Sequence, residues 1–219
     1  MRDVVIKEIC KQKIIAIVRG LNREEAVAAA KALYEGGITL VEVTFNQKAP
    51  ETFTETAKTI QAIKEEMGDK MLVGAGTVTS PTLVMLAADA GAAYIISPDT
   101  DPAVIQKTKE LGLVSIPGAY TPSEAKRAHN AGADFVKLFP CVGDAAAYVK
   151  AVCGPLNHIR FLAVGGVDSN NAASFLAAGA VGVGVGGNLV NKEWIKAGSC
   201  EKICAMAKEY RSKLNSEEK

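Results

Sequence analysis

Short apolar runs recur along the chain, and between them apolar residues fall at helical spacing. The runs are 14–19 (IIAIVR), 39–44 (TLVEVT), 71–75 (MLVGA), 93–97 (AYIIS), 113–116 (LVSI), 134–138 (DFVKL), 160–164 (RFLAV) and 181–186 (VGVGVG). Most are continuous rather than alternating, which fits strands covered on both faces. The intervening segments 23–35, 50–66, 81–90, 102–111, 122–131, 144–153 and 170–178 carry helical patterns. Asn22 ahead of Arg23-Glu24-Glu25 predicts an N-cap with acids in the first turn. Thr121-Pro122-Ser123-Glu124 predicts a cap, a proline at N1 and an acid at N3.

A weak repeat punctuates this alternation. Gly37, Gly91, Gly112, Gly132 and Gly179 each end a helical pattern and precede a strand, as in EGGITLVEV, DAGAAYIIS, NAGADFVKL and AAGAVGVGV. Eight strands alternating with helices, with no break in composition, predict a parallel (β/α)8 barrel. One domain over residues 1–214 is expected, with 215–219 a disordered tail. A doubly wound open sheet is the alternative. Its dinucleotide fingerprint would follow the first strand, where Arg19-Gly20-Leu21-Asn22 does not fit it. The first 11 residues predict an extra helix with Val5, Ile6 and Ile9 on one face, suited to plug the bottom of the barrel.

Composition narrows the function classes. Lys plus Arg number 25 and Asp plus Glu 24, which gives no support to a nucleic-acid or polyanion partner. The start of the chain lacks an unbroken apolar stretch, and the glycine-broken segment 175–190 is shorter than the roughly 20 residues a membrane helix needs. Five cysteines without a C-x-x-C pair read as free thiols in a reducing cytoplasm. His129 lies in a helical pattern and His158 precedes a strand, at the end of the barrel away from the expected site. With no H-x-H, H-E-x-x-H or dense Asp cluster, neither a metal nor a cofactor is expected.

Barrel enzymes place their chemistry at the C-terminal ends of the strands. There the chain carries Arg19, Glu42 and Thr44, Gly76-Thr77, Pro98, Pro117-Gly118, Lys137 and Phe139, Val164-Gly165-Gly166 and Gly186-Gly187. Glu42 stands five residues after Gly37, and Lys137 five after Gly132. If the units superpose, both side chains reach the same level and point the same way. Burial would drive the lysine toward a neutral amine able to form a Schiff base with a ketone, and a carboxylate beside it could shuttle protons. A structural ion pair is the other reading. The glycine pairs suit either phosphate binding or tight turns. Arg19 is either an anion clamp or a surface residue.

The segments IIAIVRG, EGGITLVEVT, VGAGTV, AAYIISP, SIPGAYTPSEA, FVKLFP, AVGGV and VGVGG together resemble the bacterial KDPG/KHG aldolases. The resemblance runs from about Ile14 to Val190. It implies a class I, metal-independent aldolase with Lys137 as the Schiff-base residue and Glu42 as the acid/base. It implies that Gly76 and Thr77 hold the pyruvyl carboxylate and that Arg19 binds the anionic substrate. Pro98, Pro117, Gly118 and Phe139 would line the pocket alongside Thr44 and Val164. Gly165, Gly166, Gly186 and Gly187 would take the phosphate or distal carboxylate. The substrate would be a 2-keto-3-deoxy-6-phospho sugar acid or 4-hydroxy-2-oxoglutarate, and the assembly a homotrimer. Asn46 replaces an arginine and Val164 a threonine found in many members, as in relatives that act on the galactonate epimer. Gly187 replaces a serine common near the phosphate. Two rivals use the same fold: a phosphosugar isomerase or epimerase, and a keto-acid-binding barrel with Lys137 protonated.

Overall fold

The computed structural model describes residues 2–215. All strand pairings are parallel. The strands are β1 (Ile14–Val18), β2 (Leu40–Thr44), β3 (Leu72–Gly76), β4 (Tyr94–Ile96), β5 (Val114–Ile116), β6 (Gly118–Ala119), β7 (Val136–Leu138), β8 (Phe161–Val164) and β9 (Gly182–Val185). They run in the order β5-β4-β3-β2-β1-β9-β8-β7-β6, a nearly closed barrel of the (β/α)8 type. The predicted fifth strand, 113–116, is β5; beyond Pro117, which has no N–H to give to a ladder, the segment continues as β6, which the sequence reading did not assign to a strand. The first piece, β5, pairs with β4, and the second, β6, pairs with β7. The ring closes through this one segment. The amides of Asp134 and Phe135 donate to the Ser115 carbonyl at 3.0 and 3.2 Å, and the Lys137 amide donates to the Pro117 carbonyl at 2.9 Å.

Helices cover the outside: α1 (Arg2–Gln12), α2 (Arg23–Glu35), α3 (Phe53–Met67), α4 (Pro81–Asp89), α5 (Pro102–Glu110), α6 (Pro122–Asn130), α7 (Ala145–Cys153), α8 (Ala172–Ala177), α9 (Lys192–Lys196) and α10 (Cys200–Asn215). Asn22 and Thr121 form the predicted caps, and Glu25 and Glu124 complete each into a capping box. The repeat glycines Gly37 and Gly132 take φ of +86° and +98°, where a side chain would be strained. The sequence reading assigned no helix after the last strand. Yet α10 buries Ile203, Ala207, Tyr210 and Leu214, a helical stripe of the kind used elsewhere in the chain. Asn215 belongs to α10 rather than to the predicted tail, whose remaining residues, 216–219, lie outside the described part. Among the described residues no helix is long and apolar enough to cross a membrane.

Strand periodicity sorts the apolar residues into two cores. One lies between barrel and helices and includes Val41, Val43, Val136 and Leu138. The other fills the barrel, with Ile15, Leu40, Tyr94, Ile116, Phe135, Leu162 and Val164. Val5 and Ile9 of α1 join this inner core, and Ile6 packs against it, so α1 seals the base. Asp134 anchors that end. It accepts the Ser115 amide at 2.9 Å and pairs with Arg2 and Lys109. Burial pushes the Asp134 carboxyl up, but these partners outweigh it and hold it below the usual carboxylate range.

Large interior residues are matched by glycines on the neighbouring strand, as Tyr94 is by its register partner Gly74. A Cβ at Gly74 would fall 2.1 Å from the Tyr94 ring, and the Tyr94 hydroxyl donates to the Val41 carbonyl at 2.6 Å. The ring is therefore held both against Gly74 and through its hydroxyl. Gly74→Ala should destabilise the fold by about 1–3 kcal/mol, as overpacking does. Tyr94→Phe, which loses one buried hydrogen bond and adds no atom, should cost about 1 kcal/mol. Urea titration of both variants checks this. Wild-type stability in Gly74→Ala would mean the ring is free to move aside.

Candidate active site

At the C-terminal end of the barrel lies a cavity of about 680 Å³. Of the candidate residues, Arg19, Glu42, Thr77, Pro98, Lys137, Phe139, Val164, Gly165, Gly166, Gly186 and Gly187 line it. Glu42 and Lys137 share the inward parity of their strands, with outward neighbours buried in the outer core. Glu42 is 3% exposed and Lys137 8%, so both ionisable heads are withdrawn from water.

That withdrawal sets their protonation. Burial pushes the Glu42 carboxyl up, against the opposing pull of Lys137 and Arg19. Burial pushes the Lys137 amine down, Glu42 acts the other way, and Arg19 adds to the downward shift. The carboxyl is thus drawn toward holding a proton and the amine toward losing one. The Lys137 Nζ sits 4.6 Å from the centre of the Phe139 ring, and both residues line the cavity. Beside the pair, a Cβ at Gly76 would fall 1.6 Å from Glu42 Oε1, so only glycine lets the carboxyl lie there.

Gly76, Pro117, Gly118 and Thr44 fall outside this lining. Gly76 lies against the Glu42 carboxyl. Pro117 receives the Lys137 amide, and Gly118 packs on Pro98, where a Cβ would meet the carbonyl oxygen at 2.3 Å. Thr44, together with Asn46, lines an adjoining cavity of about 790 Å³. Arg19, Thr77 and Lys192 border both cavities.

Thr77 has φ +56°, a left-handed conformation uncommon outside glycine. Gln47 holds it in place: the Gln47 Nε2 donates to the Thr77 carbonyl at 2.8 Å, while Thr79 donates to the Gln47 Oε1 at 3.0 Å. Sequence reasoning missed Gln47, which lies in a loop without periodic signal. It also missed the rim between β9 and α9, including Asn188 and Lys192. The Asn188 Nδ2 donates to the Val167 carbonyl at 2.8 Å and ties the last two strand-end loops together.

The two glycine pairs differ in kind. Gly165 and Gly166 have φ of +87° and +75°, and a Cβ at Gly166 would lie 2.3 Å from the Cys141 carbonyl oxygen. The turn itself requires them. At Gly186 nothing lies nearer than 4.0 Å, and at Gly187 nothing lies within 4 Å. A tight turn does not account for the second pair. Their bare backbone faces the cavity. Among the described residues no group of three or more His, Cys, Asp or Glu side chains could hold a metal ion.

The family model described as KDPG and KHG aldolase matches residues 5–206. The chain is 35% identical over 202 residues to the 2-dehydro-3-deoxy-6-phosphogalactonate aldolase of Escherichia coli (strain K12), covering 92% of this chain and 96% of that protein. A solved structure described as native KDPGal superposes with a TM-score of 0.83 at 33% identity, over 93% of this chain and 94% of the other. The KDPG aldolase of Legionella pneumophila, solved with pyruvate captured at low pH as a covalent carbinolamine intermediate, gives a TM-score of 0.81 at 27% identity, over 91% and 94%.

A buried pair of charges that serves chemistry should be expendable for folding. Replacing a buried ion pair by neutral residues of similar shape is often neutral or stabilising by about 1–4 kcal/mol, whereas removing one partner strands the other. The double variant Glu42→Gln/Lys137→Met is therefore expected to melt at or above the wild-type temperature. Lys137→Met alone should melt below the double variant. Calorimetry of the three proteins checks it, and a double variant melting well below wild type would make the pair structural.

Proposed function

Because the chain belongs to the KDPG and KHG aldolase family, we propose that it is a Schiff-base aldolase cleaving a 2-keto-3-deoxy-6-phospho sugar acid to pyruvate and glyceraldehyde 3-phosphate. The same site would split 4-hydroxy-2-oxoglutarate to pyruvate and glyoxylate. The observation that carries this reading is the burial of Lys137 and Glu42 in one cavity, with the amine shifted toward its neutral form and the carboxyl toward its acid.

In the proposed cycle the neutral Lys137 amine adds to the C2 carbonyl, and its proton passes to the new hydroxyl as the carbinolamine forms. Glu42 protonates that hydroxyl, water leaves, and an iminium remains with Glu42 as carboxylate. The carboxylate then takes the proton of the C4 hydroxyl. The C3–C4 bond breaks, its electron pair flows into the iminium to give an enamine, and the aldehyde departs. Glu42 returns the proton to C3, and hydrolysis of the imine releases pyruvate and the free amine. The covalent pyruvate adduct named for the Legionella relative supports the same chemistry here. Thr77, held left-handed by Gln47, is the proposed seat of the pyruvyl carboxylate. The open backbone at Gly186 and Gly187, with Gly165 and Gly166 opposite, is the proposed seat of the distal anion. Gly76, Pro117 and Gly118 would act by support rather than contact. We further propose that the protein works as a homotrimer, as the resemblance implies.

Pyruvate with borohydride should add one reduced pyruvyl group per chain, at Lys137, and Lys137→Ala should take none. Only the neutral amine reacts, so its lowered pKa moves reactivity to lower pH: the trapping rate should rise with a midpoint below the ordinary lysine value of 10.5. Peptide mass mapping across a pH series reads both, and label on another lysine overturns the mechanism. Glu42→Gln should lower kcat by about 10²–10⁴ while still taking pyruvate.

The C4 preference turns on Val164, which lines the cavity and offers no hydrogen bond to a hydroxyl. Apolar pockets discriminate weakly, so the gluconate and galactonate substrates should have kcat/KM values within about 10² of each other. Val164→Thr should move the ratio toward the gluconate epimer. Retro-aldol assays of both epimers with both proteins decide it. An unchanged ratio in Val164→Thr would remove Val164 from the explanation.

A further inference from the structure

Two cations stand at the junction of the two cavities, and only one of them was foreseen. Arg19 ends β1. Lys192 opens α9 and reaches back across the rim. Gly20, at φ +62°, makes room for it: a Cβ there would fall 2.7 Å from the Lys192 Nζ. The ammonium therefore occupies space that a side chain at position 20 would fill, next in sequence to Arg19. Both residues border both cavities. Among the described residues neither forms an ion pair. The acids of the main cavity are Glu42, buried beside Lys137, and Glu193, whose carboxylate lies 3.9 Å from Lys196 on the same helix.

We infer that Lys192 is a specificity residue which, with Arg19, seats the substrate's phosphate at this junction, opposite the bare backbone of Gly186 and Gly187. The inference rests on the aldolase reading and adds to it a residue and a preference. Neighbouring cations repel one another, and an anion between them removes that repulsion. A phosphate monoester carries roughly −1.5 to −2 at neutral pH and three acceptor oxygens, enough for both cations and the backbone amides. A carboxylate carries a single charge, and a free hydroxyl none. Lys192 thus favours acceptors that bear phosphate, doing with an ammonium what a side-chain hydroxyl at position 187 would do by a hydrogen bond.

The test runs the reaction toward condensation, with pyruvate and either glyceraldehyde 3-phosphate or unphosphorylated glyceraldehyde, for wild type, Lys192→Gln and Lys192→Arg. The readout is the ratio of kcat/KM for the phosphorylated over the unphosphorylated aldehyde. Loss of one charge-assisted contact should lower this ratio about tenfold or more in Lys192→Gln. The change should lie mainly in KM for the phosphorylated aldehyde, and Lys192→Arg should restore most of it. Borohydride trapping of pyruvate on each protein separates the two levels of the argument. No label on the wild type would overturn the aldolase reading and this inference with it. Labelled variants with an unchanged ratio, or with both aldehydes impaired equally, would overturn the role of Lys192 alone.

Discussion

Withdrawing a lysine and a glutamate from water is the constraint around which this barrel is arranged. Either charge left alone in the interior would be costly. The fold accommodates them by placing Glu42 and Lys137 on inward-facing positions of two strands whose outward residues are buried under the helices. Each then biases the other, and burial biases both toward neutrality. The protein keeps two titratable groups poised where two apolar residues would serve stability as well.

Room for that arrangement comes from glycine. Gly76 admits the Glu42 carboxyl, Gly74 admits the Tyr94 ring below it, and Gly184 admits Val164, whose methyl carbon would lie 2.9 Å from an added Cβ. In each case the glycine stands on the strand next to the side chain it admits. The second support is the divided strand at Pro117. It closes the ring and holds the Lys137 backbone through a carbonyl, although Pro117 has no donor of its own.

Much of this was legible in the sequence because strand and helix periods leave a record in every unit. The matching offsets of Glu42 from Gly37 and of Lys137 from Gly132 placed both at one level, and both line one cavity. The caps at Asn22 and Thr121 were readable from residue type alone. What escaped was set by contacts rather than by period. The break at Pro117 depends on which neighbour each half-strand meets. Gln47 sits in a loop and Lys192 at the first residue of a five-residue helix, where spacing carries little direction, and their importance appears only when Thr77 and Gly20 are seen opposite them. The two glycine pairs look alike as letters. Only backbone angles and neighbouring atoms separate a pair required by its turn from one that leaves space.

The helix beneath the barrel governs traffic. With Val5 and Ile9 sealed into the inner core, the lower end is shut, and the cavity communicates with solvent at the end where the strands finish. In the reaction proposed, the three-carbon fragment tethered to Lys137 sits innermost, and the aldehyde lies between it and the doorway. Molecules in a blind corridor must queue. The aldehyde leaves before pyruvate can, and in the reverse direction pyruvate must be seated before an aldehyde enters. The order of addition and release is then a property of the corridor's shape, independent of how tightly either partner is held.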